Sequence, residues 1–73
     1  ARIPTLKARD IMRVLDSLGF QRIRQKGSHL FFQHSDGRTS LVPRHGGEVV
    51  GRGLLRHILR EIEMTPEEFL KHL

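Results

Sequence analysis

The stretch Gln21-Arg22-Ile23-Arg24-Gln25-Lys26-Gly27-Ser28-His29-Leu30-Phe31-Phe32-Gln33, continued by His34-Ser35-Asp36-Gly37-Arg38-Thr39-Ser40-Leu41-Val42-Pro43, decides the fold. Alternation over 21–26 predicts a strand with Arg22, Arg24 and Lys26 on one wet face and Ile23 on the buried face. Lys26-Gly27 leaves room only for a tight reversal, and residues 28–33 resume as a second strand rich in β-favouring side chains. Asp36-Gly37 is the stronger hairpin signal. It turns the chain into a third strand over 38–42, which Pro43 ends because it has no N–H for the ladder. The result is an antiparallel three-stranded meander.

On the N-terminal side, Ile11, Val14, Leu15 and Leu18 fall at i, i+3, i+4 and i+7 and predict an amphipathic helix over 7–18, with Thr5 as its N-cap. Gly19 stops it as a C′ glycine. On the other side, residues 43–53 carry four of the seven glycines and no periodicity, and are expected to form a loop. Leu54, Leu55, Ile58, Leu59 and Ile62 then make the apolar stripe of a second helix, with Arg56, His57 and Arg60 facing outward. Thr65-Pro66-Glu67-Glu68 is a capping box with proline at N1, opening a short last helix in which Phe69, Leu70 and Leu73 dock. The expected architecture is α+β, ordered α-β-β-β-α plus the terminal helix, with the helices on one sheet face and the other face in solvent. Seventy-three residues imply a single domain, 1–73.

Thirteen Lys and Arg against eight Asp and Glu leave a net charge of +5, so a polyanion, and nucleic acid first, is the expected partner. With no cysteine, neither disulfides nor a Cys-based zinc site hold the fold. No apolar run approaches the length of a membrane span and nothing near Ala1 has the form of a signal segment; the expectation is a soluble, cytoplasmic chain outside the membrane. Four phenylalanines without Tyr or Trp argue against a sheet that stacks several bases. Phe31 shares the parity of His29 and is a candidate to stack one base, while at least one of Phe31 and Phe32 belongs to the core.

The chemistry concentrates at Lys26-Gly27-Ser28-His29. A histidine at a strand end either makes one structural hydrogen bond or serves as a general acid or base. Arg22, Arg24 and Lys26 on the adjacent strand would hold a phosphodiester while His29 exchanges a proton. Pro43-Arg44-His45 is the second place, where Arg44 would clamp phosphate and His45 act as an auxiliary acid; a loop histidine without a role is the alternative. His34 and His57 read as solvated. Ser28 and His29 are adjacent and point to opposite faces, so they are no serine–histidine nucleophile pair. Arg56 and Arg60, one helical turn apart, form a ridge suited to contacts with a nucleic-acid backbone or simply a solvated helix face. His29, His34 and His45 match no metal-ligand spacing, and Gly51-Arg52-Gly53 lacks the Lys-Ser/Thr of a P-loop. No metal and no cofactor are expected.

These residues carry a resemblance. Leu18-Gly19-Phe20, Gln25-Lys26-Gly27-Ser28-His29, Asp36-Gly37-Arg38, Val42-Pro43-Arg44-His45, Gly53-Leu54-Leu55-Arg56-His57-Ile58-Leu59 and Thr65-Pro66-Glu67-Glu68-Phe69 together resemble the HicA (YcfA-like) toxin family, in order over nearly the whole chain. The resemblance implies a fold like that of double-stranded-RNA-binding domains. It further implies a metal-independent endoribonuclease that cleaves mRNA as the toxin of a type II toxin–antitoxin pair and is inhibited by a HicB-type antitoxin. In that family the histidine of Gly-Ser-His is catalytic, which here is His29. This chain has Leu30 where many relatives carry a second histidine. Arg22, Arg24, Lys26, Ser28, Arg44, Arg56 and Arg60 are expected to contact the RNA; the alternative is a non-catalytic RNA-binding module of the same fold that cuts nothing.

Overall fold

A computed structural model describes residues 3–43 and 47–73. The chain runs β1 (Leu6–Lys7), α1 (Ala8–Ser17), β2 (Gln21–Lys26), β3 (His29–Gln33), β4 (Thr39–Pro43), β5 (Val49–Val50), α2 (Arg52–Glu61) and α3 (Pro66–Leu70). The expected α+β order holds, and β2-β3-β4 is an antiparallel three-stranded sheet. Both α1 and α2 pack on β4, so the helices form one layer and the sheet the other.

The core lies between the layers. Ile11, Val14 and Leu15 of α1, Leu55, Ile58 and Ile62 from α2 and its end, Phe32 and Val42 of the sheet, and Phe69 of α3 are all at most 1% exposed. Burying such a side chain contributes about 1.5–3 kcal/mol. The capping box of α3 is present: Thr65 Oγ1 accepts from the Glu68 N–H while the Glu68 carboxylate accepts from the Thr65 N–H. That start aims Phe69 into the core, but Leu73 is 57% exposed and does not dock.

Both long helices end alike. Gly19 takes a left-handed φ of 94°, and the Gly19 and Phe20 N–H groups donate to the carbonyls of Asp16 and Leu15. At the end of α2, Glu63 takes φ 57° and the Glu63 and Met64 N–H groups donate to Arg60 and Leu59. These are two Schellman motifs, one with the residue that suits it and one without.

Three expectations fail locally. Residues 6 and 7 pair antiparallel with Val50 and Val49, and the Ala8 N–H donates to the Glu48 carbonyl. Helix α1 therefore begins at Ala8 and Thr5 caps nothing. The expected loop 43–53 likewise holds a strand, because β1 needs a partner. Finally, β2 is irregular between Arg22 and Arg24: Arg22 pairs with Phe32 and Arg24 with Phe31, so Ile23 is the extra residue of a bulge. A bulge cancels alternation across it. Ile23 is 50% exposed instead of buried, and Arg22 leaves the face of Arg24 and Lys26.

Candidate active site on the open face of the sheet

The site follows from one tight turn. Lys26 and His29 are cross-strand partners, so Gly27 and Ser28 alone make the reversal, and Gly27 at φ 59° supplies the positive dihedral such turns need at their first central position. His29 is thereby placed at the first position of the central strand. Pro43 of β4 is its partner on the other side. Directly opposed residues project to the same face with Cβ atoms about 4.5–5.5 Å apart, so Lys26, His29 and Pro43 form one rung.

Arg24, Phe31 and Leu41 form the next rung, and Gln21, Gln33 and Thr39 the third. Phe32 and Leu30 alternate to the helix side: Phe32 is in the core and Leu30 packs against it. Phe31, Leu41 and Pro43 are half-buried and outside the core cluster, as members of the face that no helix covers. His29, Lys26 and Arg24 are exposed. No Asp or Glu occupies any of the three rungs, whereas two cations do. An acid-free, cationic face with an apolar centre attracts phosphate and offers it no competing internal counter-ion.

The Arg24 guanidinium lies over the Phe31 ring, its Cζ 4.6 Å from the centroid, and has no carboxylate partner among the described residues. Arg22 differs. Its Nη2 donates to Asp16 Oδ2 at 2.9 Å and its guanidinium sits 5.7 Å from the Phe32 centroid, on the helix side of the bulge. The three cations expected on one face are thus divided two and one, and Arg22 is engaged by α1.

Arg56 and Arg60 stand away from His29. They line a groove of about 550 Å³ floored by Ile3, Leu59 and Met64 in the helical layer, and the sheet separates that layer from the His29 face. Ser28 is an exposed turn residue next to His29. Arg44 and His45 lie outside the described residues. Among the described residues, no cluster of three or more His, Asp or Glu side chains is placed to hold a metal ion.

His34 is not solvated as expected. Its Nε2 lies 3.2 Å from the Leu18 carbonyl, and its Nδ1 accepts the Asp36 N–H at 3.1 Å. The same Nδ1 also lies 3.2 Å from Asp36 Oδ1, and the ring is set edge-on against Phe20 with centroids 5.0 Å apart. It is a latch between the end of α1 and the β3–β4 hairpin. Arg38 is the second latch: Nε donates to Asp36 Oδ2 at 2.8 Å, Nη1 donates to the Ile62 carbonyl at the end of α2, and the guanidinium covers Phe20 at 5.1 Å. The Arg38 N–H donates to Asp36 Oδ1 at 3.0 Å, and this bond, aided by the Arg38 side chain, holds the Asp36 carboxyl below the ordinary aspartate range. Asp36-Gly37-Arg38 thus secures the far end of the sheet, leaving the His29 end open.

Sequence reasoning passed over Leu41 and Pro43 as neighbours of His29. The Asp36-Gly37 hairpin carried the signal, since its length sets β4 against β3 and with it Pro43 opposite His29 and Leu41 opposite Phe31.

The model of a protein family described as HicA toxin of bacterial toxin-antitoxin matches residues 8–64. The match runs from the first residue of α1 through the end of α2 and includes His29 and the whole sheet. No curated protein matches the chain. Among the described residues no helix is long and apolar enough to cross a membrane.

Proposed function

This chain belongs to the HicA toxin family of bacterial toxin–antitoxin systems, and from that membership we propose that it is a metal-independent endoribonuclease acting on mRNA with His29 as its general base. The observation that carries the reading is the first rung: an exposed imidazole beside Lys26 on a face without carboxylates. Lys26 receives a phosphate oxygen. His29, as its neutral imidazole, takes the proton of the adjacent ribose 2′-OH.

The 2′ oxygen forms a bond to phosphorus and the bond from phosphorus to the 5′ oxygen breaks. The leaving oxygen acquires a proton from an acid or from water, giving a 2′,3′-cyclic phosphate and a 5′-OH. Lys26 and Arg24 balance the charge that accumulates on the phosphorane. General-base catalysis contributes roughly 10²–10⁴-fold, which gives a slow enzyme unless a second histidine such as His45 supplies the acid. The partner in this reading is a HicB-type antitoxin that occludes the His29 face.

An RNA with 2′-deoxyribose at the cleaved nucleotides tests the nucleophile. It is expected to bind and remain intact while the all-ribose strand is cut. Equal cutting of both would remove this chemistry, and failure to cut either, with binding retained, would leave an RNA-binding module of the same fold.

A further inference from the structure

A guanidinium is held against an aromatic ring one rung from His29, and the charge reading of Arg24 leaves this geometry unused. The Arg24 Cζ is 4.6 Å from the Phe31 centroid, while the other cross-strand neighbour of Phe31 is Leu41. Because β2 is an edge strand, no further strand lies beyond Arg24, and its side chain is exposed. The guanidinium carbon thus lies over the ring while the rest of the residue is exposed. An exposed arginine ordinarily samples many rotamers; here the attraction of the cation to the ring restricts it in advance. Ordering of this kind lowers the cost of stacking a third planar group on top.

We infer that Arg24, laid on Phe31, is a stacking platform for one unpaired base of the RNA, next to the phosphate received by Lys26 and His29. The inference rests on the RNA reading above and narrows its substrate class to single strands and loops. A base paired inside a duplex must first be unpaired and unstacked to reach a platform lying in a sheet face, whereas splayed bases stack readily on arginine planes. The platform reads a π-face, so it tolerates all four bases. It also gives Arg24 a role that lysine cannot fill.

The test uses the full chain carrying His29→Ala, so that the RNA stays intact, with a short single-stranded oligoribonucleotide containing 2-aminopurine. Stacking is expected to quench the probe. Arg24→Lys is expected to weaken binding about 5- to 150-fold and abolish the quench, while leaving the slope of log K against log salt unchanged, because the charge is kept. Arg24→Gln is expected to weaken binding further and to lower that slope by about 0.7. Phe31→Trp is expected to preserve the quench, and Phe31→Leu to reduce it.

Binding and quench in Arg24→Lys equal to those of the parent would overturn the platform and leave Arg24 a charge. So would an equal affinity for the same sequence annealed as duplex. Arg24 is exposed and outside the core, so its substitution does not confound binding with folding. The nuclease reading fails separately: Arg24-dependent quench by a chain that, with His29 intact, cuts no RNA supports the platform and removes the catalysis.

Discussion

Replacing Arg38 by Met keeps an unbranched stem that reaches about as far as Nε and removes the guanidinium with all its donors. Arg38 holds three things together: the Asp36 carboxylate, the Ile62 carbonyl at the end of α2 and the Phe20 ring. A hydrogen bond from a charged donor contributes about 1.5–3 kcal/mol. The cation–ring contact adds about 0.5–1 kcal/mol. The ion pair with the exposed Asp36 carboxylate is screened by solvent and is left out of the sum. Thioether packing on Phe20 recovers part of this, leaving an expected loss of about 2–3 kcal/mol. In a domain of this size each kcal/mol lowers Tm by about 4–8 °C, so a drop on the order of 10–25 °C is expected. Urea melts followed by far-ultraviolet circular dichroism measure it, with an unchanged m-value as the check that only stability moved. Arg38→Lys is expected to fall between, since a single ammonium cannot reach Asp36 and Ile62 along two separate donor directions. The reasoning is refuted if Arg38→Met lies within about 0.5 kcal/mol of the parent, the ordinary range for surface changes.

The same corner sets an acid dependence. With its folded pKa depressed, Asp36 contributes stability that is fully present above its unfolded value of about 3.9 and is lost as pH falls through the lower folded value. Asp36→Asn is therefore expected to show a shallower fall in urea midpoint below about pH 4 than the parent, and an equally steep fall would contradict the assignment. The two Schellman motifs predict opposite signs. Gly19→Ala forces a side chain into the left-handed region and brings its Cβ to 3.3 Å from His34 Nε2, so a loss exceeding about 1 kcal/mol is expected; Glu63→Gly relieves the same conformation and is expected to gain up to about 1 kcal/mol. Ile23→Thr is expected to change stability by no more than about 0.5 kcal/mol, whereas a core position would lose several times that. Denaturant midpoints compared at one pH decide both.

The parts that were legible in the sequence are those governed by local rules. The spacing of Ile11, Val14, Leu15 and Leu18 places α1 to within a residue at its end, and Thr65-Pro66-Glu67-Glu68 places the start of α3, because periodicity and capping act over a single turn. Gly27 and Gly37 both carry positive φ where the turns were read. What escaped was decided between elements. Two-residue strands such as β1 and β5 have no periodicity to detect, and their pairing displaces the cap from Thr5.

The bulge at Ile23 is a one-residue choice of register made by tertiary contacts, among them the capture of Arg22 by Asp16 of α1. Within the site, His29, Lys26 and Arg24 were legible from alternation and turn length. Arg22 was not, since alternation assigned it to the wrong face. His34 was misread because a ring beside a turn looks solvated until the end of α1 folds over it.

In the proposed reaction one exposed imidazole performs the cleavage. Digestion of a defined single-stranded RNA by the native chain and by His29→Ala, with both ends of each product mapped, tests it most directly. The native chain is expected to leave 2′,3′-cyclic phosphate and 5′-OH ends, and the variant to lose about 10²-fold or more in rate with RNA affinity retained. Undiminished cutting by the variant, or 5′-phosphate ends from either, would contradict it.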